Sequence, residues 1–132
     1  MMQSLYNGGV RVQRQHRAES RVERSRFHAL LFPISDLAEV KVVLEAQRKK
    51  HKKAGHHCWA ARCYNADGQL VEQARDDREV GKPGMAILQV LRQHDIEGAL
   101  VVSRIYGGIK LGPGGVGRAF RKAAQQVVAT LD

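Results

Sequence analysis

Three groups of residues could do chemistry. The largest runs from Arg104 to Arg118, where Gly107, Gly108, Gly112, Gly114, Gly115 and Gly117 are interleaved with Lys110. Backbone N–H groups unobstructed by side chains, beside a lysine and two arginines, suit an anion, above all a phosphate of RNA or of a nucleotide. The same glycines equally suit a tight connection between a strand and a helix. No Gly-Lys-Ser/Thr follows them, so this is not a P-loop. Gly112, Gly114 and Gly117 have dinucleotide-fingerprint spacing, but the chain ends before the acidic residue that such a site needs about 20 positions on.

Asp76, Asp77 and Glu79 form the second group. They could hold Mg²⁺ beside a phosphate, or pair with Arg75, Arg78 and nearby lysines; structural pairing is the expectation. The third group is His56, His57, Cys58 and Cys63. Cys58 and Cys63 stand at odd spacing, so a straight strand points them to opposite faces. That argues against a shared zinc ion. A Cys58–His nucleophile fails for the same reason, because adjacent strand residues diverge. The expectation is buried thiols, no metal centre and no catalytic residue.

The elements that must position these groups follow from pattern. Ala99 to Tyr106 is short and rich in β-branched residues, which reads as a buried strand. Val116, Ala119, Phe120, Ala123, Ala124, Val127, Val128 and Leu131 recur at helical spacing, giving an amphipathic helix after the glycines. Upstream, residues 25–34 predict a strand ended by Pro33. Asp36 then opens a helix, with Glu39 as its capping-box partner. His56 to Tyr64 predicts a strand, Asn65-Ala66-Asp67-Gly68 a hairpin turn, and Gln69 to Arg75 the return strand. A polar loop leads into a helix over Met85 to His94. The order βαββαβα predicts an α+β two-layer sandwich, a sheet of about four strands, mixed or antiparallel, with helices on one face.

Composition bounds the rest. A chain of 132 residues with 43% hydrophobic content can bury one core. Its formal charge of +9 says nothing about fold but favours polyanionic partners. Two cysteines make no disulfide framework and fit a reducing compartment. No apolar run approaches the roughly 20 residues that span a bilayer, and the basic N-terminus lacks the apolar stretch of a secretory signal. The expected compartment is the cytoplasm, with no membrane partner. Residues 1–24, with Arg11, Arg14, Arg17, Arg21 and Arg24 and little apolar material, are expected to be a disordered basic tail ahead of a domain over 25–132. The run Arg48-Lys49-Lys50-His51-Lys52-Lys53 is read as cations opposing a helix dipole, with an RNA-facing patch as the alternative.

Three blocks, in order, resemble the YigZ/IMPACT family. Residues Ala54 to Arg62 are similar to its Ala-Thr-His-Asn-Cys-Tyr-Ala-Tyr-Arg segment, and Asp76 to Glu79 to its Asp-Asp-Gly-Glu loop. Residues Arg104 to Phe120 resemble its Arg-Tyr-Phe-Gly-Gly-x-Lys-Leu-Gly-x-Gly-Gly-Leu-x-Arg-Ala-Tyr signature. Arg78 replaces the loop glycine, His57 an asparagine and Ile105 an aromatic residue. The resemblance implies the fold of the second domain of ribosomal protein five of the small subunit, and a cytosolic, non-enzymatic protein tied to translation. Eukaryotic members bind an activator of the amino-acid-starvation kinase through an N-terminal domain. Bacterial members carry a C-terminal ferredoxin-like domain. Neither is recognised in this sequence, so the kinase-regulator role is not carried over.

Taken together, the expectation is a translation-associated regulator that binds RNA, the ribosome or a ribosome-associated protein. Arg104, Lys110, Arg118 and the Gly107–Gly117 backbone would neutralise phosphates, while His56, Asp76, Asp77 and Glu79 line the same cleft. No cofactor is expected. The alternatives are a Mg²⁺-dependent enzyme acting on a phosphorylated small molecule, with those three acids as ligands, and a protein–protein interaction domain with no nucleic-acid role.

Overall fold

The computed structural model describes residues 2–4 and 9–131, with side chains from residue 9 onward. Strands β1 (Met2–Ser4), β2 (Val10–Val12), β3 (His16–Val22) and β4 (Ser25–Phe32) precede helix α1 (Val40–Lys50). Then come β5 (His56–Tyr64), β6 (Leu70–Arg75), α2 (Pro83–Gln93), β7 (Ile96–Ile105) and α3 (Gly112–Val128). From β4 onward the order is the expected βαββαβα, and the class is α+β.

One seven-stranded sheet organises the chain. Its main body runs β3-β4-β7-β5-β6, with every neighbouring pair antiparallel. Strand β7 is central because it is buried along nearly its whole length, pairing β4 on one side and β5 on the other. At its start β2 adds parallel, through Val10↔Ile96 and Arg11↔Glu97, and β1 pairs β2.

The disordered-tail expectation is corrected over residues 10–24. Strand β3 pairs with β4 along its full length, from His16↔Leu31 to Val22↔Ser25. The two-residue link, Glu23 and Arg24, has φ of 47° and 69°, the left-handed pair that a tight hairpin uses. Of the inward positions His16, Ala18, Ser20 and Val22, two are polar and one is alanine, yet α3 packs against this strand. Residues 1 and 5–8 of that expected tail lie outside the described residues.

The helices are not all on one face, which corrects a second expectation. Phe27, Ala29, Leu31, Cys58, Ala60, Leu100 and Val102 point to α2 and α3 and join a core with Ile87, Leu91, Phe120 and Val127. The alternating residues Leu30, Phe32, Trp59, Ala61, Cys63, Ala99 and Val101 point the other way and are covered by Val40, Val43 and Leu44 of α1. Cys58 and Cys63 therefore sit in different cores, as their spacing predicts. Local signals hold in the main. The Asp36 carboxylate accepts from Ala38 N as a helix cap, while Glu39 accepts from Ser35 N, one residue before the Asp36 N–H that the expected capping box would use. The Asn65 side chain accepts from Asp67 N and Gln69 N in the β5–β6 turn.

Candidate functional site

Helix α3 is anchored by its apolar stripe, since Val116, Ala119, Phe120, Ala123, Ala124, Val127 and Val128 are all buried. Its first turn is therefore held in place, and that turn carries no side-chain cap and no acidic residue. Pro113 has no N–H to satisfy, while Gly112 and Gly114 lie exposed. Amides at this end of a 17-residue helix carry the positive end of its dipole. Gly107 is needed for close approach: a Cβ there would run into the Arg24 and Ser25 backbone at the β3–β4 turn. Gly117 packs on the carbonyl of Gly81, which holds the end of the acidic loop against α3.

Cations surround this helix start. An open pocket of about 540 Å³ is lined by Lys110, Arg118, Lys122 and Gly115 together with Ile109 and the acidic Glu23. An adjoining groove of about 300 Å³ contains Gly114, Gly117, Lys82 and Arg121, and Arg118 borders both. Lys110, Arg118 and Lys122 are exposed and make no ion pair among the described residues. Lys122 was not singled out from sequence; its signal is the one-turn spacing from Arg118, which puts both on one side of the helix.

Arg104 is not part of this group. It is 6% exposed, and its guanidinium donates to Glu79 Oε2 at 3.0 Å and to Ser25 Oγ at 3.4 Å. The guanidinium carbon also lies over the rings of Phe27 and Tyr106, 5.8 and 5.5 Å from their centroids. His56 stands directly opposite Arg104 on β5. Its Nδ1 donates to the Asp77 carbonyl at 2.9 Å, and its Nε2 is 3.6 Å from Glu79 Oε2. The structure therefore separates two groups that the sequence reading placed in one cleft. Neither pocket beside α3 is lined by His56, Asp76, Asp77 or Glu79.

Each acid of the loop already has protein partners. Asp76 Oδ1 accepts from Gly84 N in the first turn of α2, at 2.8 Å. Asp77 Oδ2 accepts from His57 N at 2.8 Å and lies 3.6 Å from Arg48. Glu79 spans Arg104, His56 and the amide of Val80. Among the described residues no group of three His, Cys, Asp or Glu side chains is arranged to hold a metal ion. Cys58 is fully buried and donates to the Asp76 carbonyl; burial, then the carboxylates of Glu79 and Asp77, push its thiol pKa far up. A thiol held protonated in this way is a poor nucleophile.

The geometry defines a class first: an α+β domain in which a central strand, a glycine turn and a basic helix start converge on one edge. Residues 23–128 match the family model of the Impact N-terminal domain, and the chain belongs to the IMPACT family. It is 33% identical over 118 residues to an IMPACT family member of Haemophilus influenzae, covering 86% of this chain and 56% of the relative. It is 35% identical over 107 residues to the IMPACT family member YvyE of Bacillus subtilis, covering 80% and 48%. Protein IMPACT of Xenopus laevis is 37% identical over 95 residues, covering 68% of this chain and 30% of that one. The chain thus spans about half the length of the bacterial relatives. A crystal structure of a hypothetical protein superposes with a TM-score of 0.82 at 28% identity, covering 92% of this chain and 60% of that one. The two-domain translational regulator Yih1 shares the fold, with a TM-score of 0.53 at 24% identity over 86% of this chain and 44% of its own.

Proposed function

We propose that this chain is a non-enzymatic, translation-associated module of the cytoplasm that binds RNA or the ribosome through the start of α3. The observation that carries this reading is an uncapped helix start flanked by Lys110, Arg118 and Lys122, three cations against the single Glu23 in the pocket and none of them in an ion pair among the described residues. Such a site takes phosphate oxygens on backbone N–H groups and on two or three cations at once. The net charge of +9 draws the polyanion in. The IMPACT relatives and the fold shared with a translational regulator favour a role beside the ribosome. No described helix is long and apolar enough to cross a membrane.

The test is affinity for RNA as a function of salt. Each phosphate contact to a single strand adds about 0.7 to the slope of log K against log salt. Arg118→Ala and Lys122→Ala should each weaken binding and flatten that slope by about one contact. Salt-independent binding, or none, removes the proposal. Capture of a ribosomal protein partner that survives nuclease treatment would replace it with a protein-interaction role.

A further inference from the structure

The opposite face of the sheet carries a feature that the α3 site does not use. Helix α1 covers Leu30, Phe32, Ala99 and Val101, and between its last turn and strands β3 and β4 lies an open pocket of about 400 Å³. Arg17 and Glu19 of β3, His28 of β4, and Gln47, Lys50 and His51 at the end of α1 line it. The rings of His28 and His51 stack, with centroids 4.3 Å apart and planes 13° from parallel. Gln47 is 3% exposed, and its side chain lines this pocket. A side-chain amide in the lining offers both a donor and an acceptor to whatever enters. Arg17 and Lys50 are exposed and have no ion pair there, and Arg21 continues the positive charge along the outer edge of β3.

We propose that this pocket holds one nucleotide of a single-stranded RNA, its base extending the His28–His51 stack against the Gln47 amide and its phosphate on Arg17 and Lys50. The volume lies within the usual range for small-molecule sites. Flat rings beside cations are how sequence-tolerant single-strand sites are built, whereas a paired duplex cannot present a free base face. Glu19 in the lining is an acceptor for a ribose hydroxyl, which distinguishes RNA from DNA. Burial lowers the pKa of both imidazoles, against the opposing pull of the Glu19 carboxylate on His28 and with the added effect of His28 and Lys50 on His51. The exposed faces of the stacked rings are what a base would pack on. This surface lies across the sheet from α3, so each can fail without the other.

The experiment is NMR titration of the full chain with uridine monophosphate, with an oligouridylate and with inorganic phosphate, following the imidazole C–H signals of His28 and His51. The nucleotide and the oligouridylate should shift both rings, and phosphate should shift them much less. Gln47→Leu, and the exposed double variant Arg17→Ala/Lys50→Ala, should each weaken oligouridylate binding about tenfold. Only the double variant should also lower the salt slope, and Arg118→Ala should leave the imidazole shifts intact. Thermal melts check that the variants are folded. Unmoved rings, equal shifts with phosphate alone, or variants binding as the parent does would each overturn the proposal. So would a protein partner that occupies this face with RNA digested away.

Discussion

Arg104 and Glu79 form a buried ion pair, with Nη1 and Oε2 3.0 Å apart and side chains only 7% and 5% exposed. The arginine comes from the central strand and the glutamate from the loop before α2, so the pair fastens that loop to the sheet. Removing one partner leaves an uncompensated buried charge. Glu79→Ala should therefore cost about 3–5 kcal/mol in urea unfolding. Arg104→Met combined with Glu79→Leu should recover a large part of that loss, because the desolvation penalty of both charges disappears. If Arg104 were instead held for phosphate, Glu79→Ala would leave stability unchanged and tighten RNA binding.

The β3–β4 hairpin turn yields a stability prediction of opposite sign. Glu23 and Arg24 occupy left-handed backbone that favours asparagine and glycine. Replacing them with Asn-Gly should raise stability by about 1 kcal/mol. The measurement is the urea midpoint at unchanged slope. A loss of stability would show that these side chains hold the turn by contacts of their own.

That turn also explains where sequence reading stopped. The periodicity of α3, the caps at Asp36 and Glu39 and the Asn65–Gly68 turn are local, and local patterns reveal themselves. Strand β3 has inward residues His16, Ala18, Ser20 and Val22, too weakly apolar to stand out, and its turn lacks the usual glycine. The two-sided sheet did leave a trace: Leu30, Leu31 and Phe32 are apolar without alternation, as strands covered on both faces are. The burial of Arg104 left none, because its partner lies 25 positions away and either charge alone reads as surface.

His57 gives the chain a pH dependence. It is 3% exposed, its Nδ1 is 2.7 Å from Ser103 Oγ, and burial, then Arg48, lower its pKa from the ordinary 6.5. A lowered histidine means the unfolded chain takes the proton more readily than the folded one. Stability is thus full above about pH 6.5 and declines as pH falls through the folded value. His28 and His51 are shifted in the same direction. His57→Asn should flatten this part of the Tm against pH curve. Parallel curves for variant and parent would assign the decline to other groups.

Arg78→Gly tests whether the acidic loop carries backbone strain. Asp77, Arg78 and Lys82 all have positive φ, at 48°, 62° and 52°. Arg78 makes no ion pair among the described residues. Little is lost with its side chain, and glycine relieves a left-handed conformation worth about 1–2 kcal/mol in an L-residue. The freer unfolded chain offsets part of that, leaving an expected gain of about 1 kcal/mol. Asp77→Gly at the neighbouring position should do the reverse. The Asp77 carboxylate is the acceptor for His57 N and faces Arg48, so its removal leaves the edge of β5 without that bond. Urea unfolding of the two variants side by side separates backbone strain from side-chain contact, and equal changes in both would show that φ alone governs this loop.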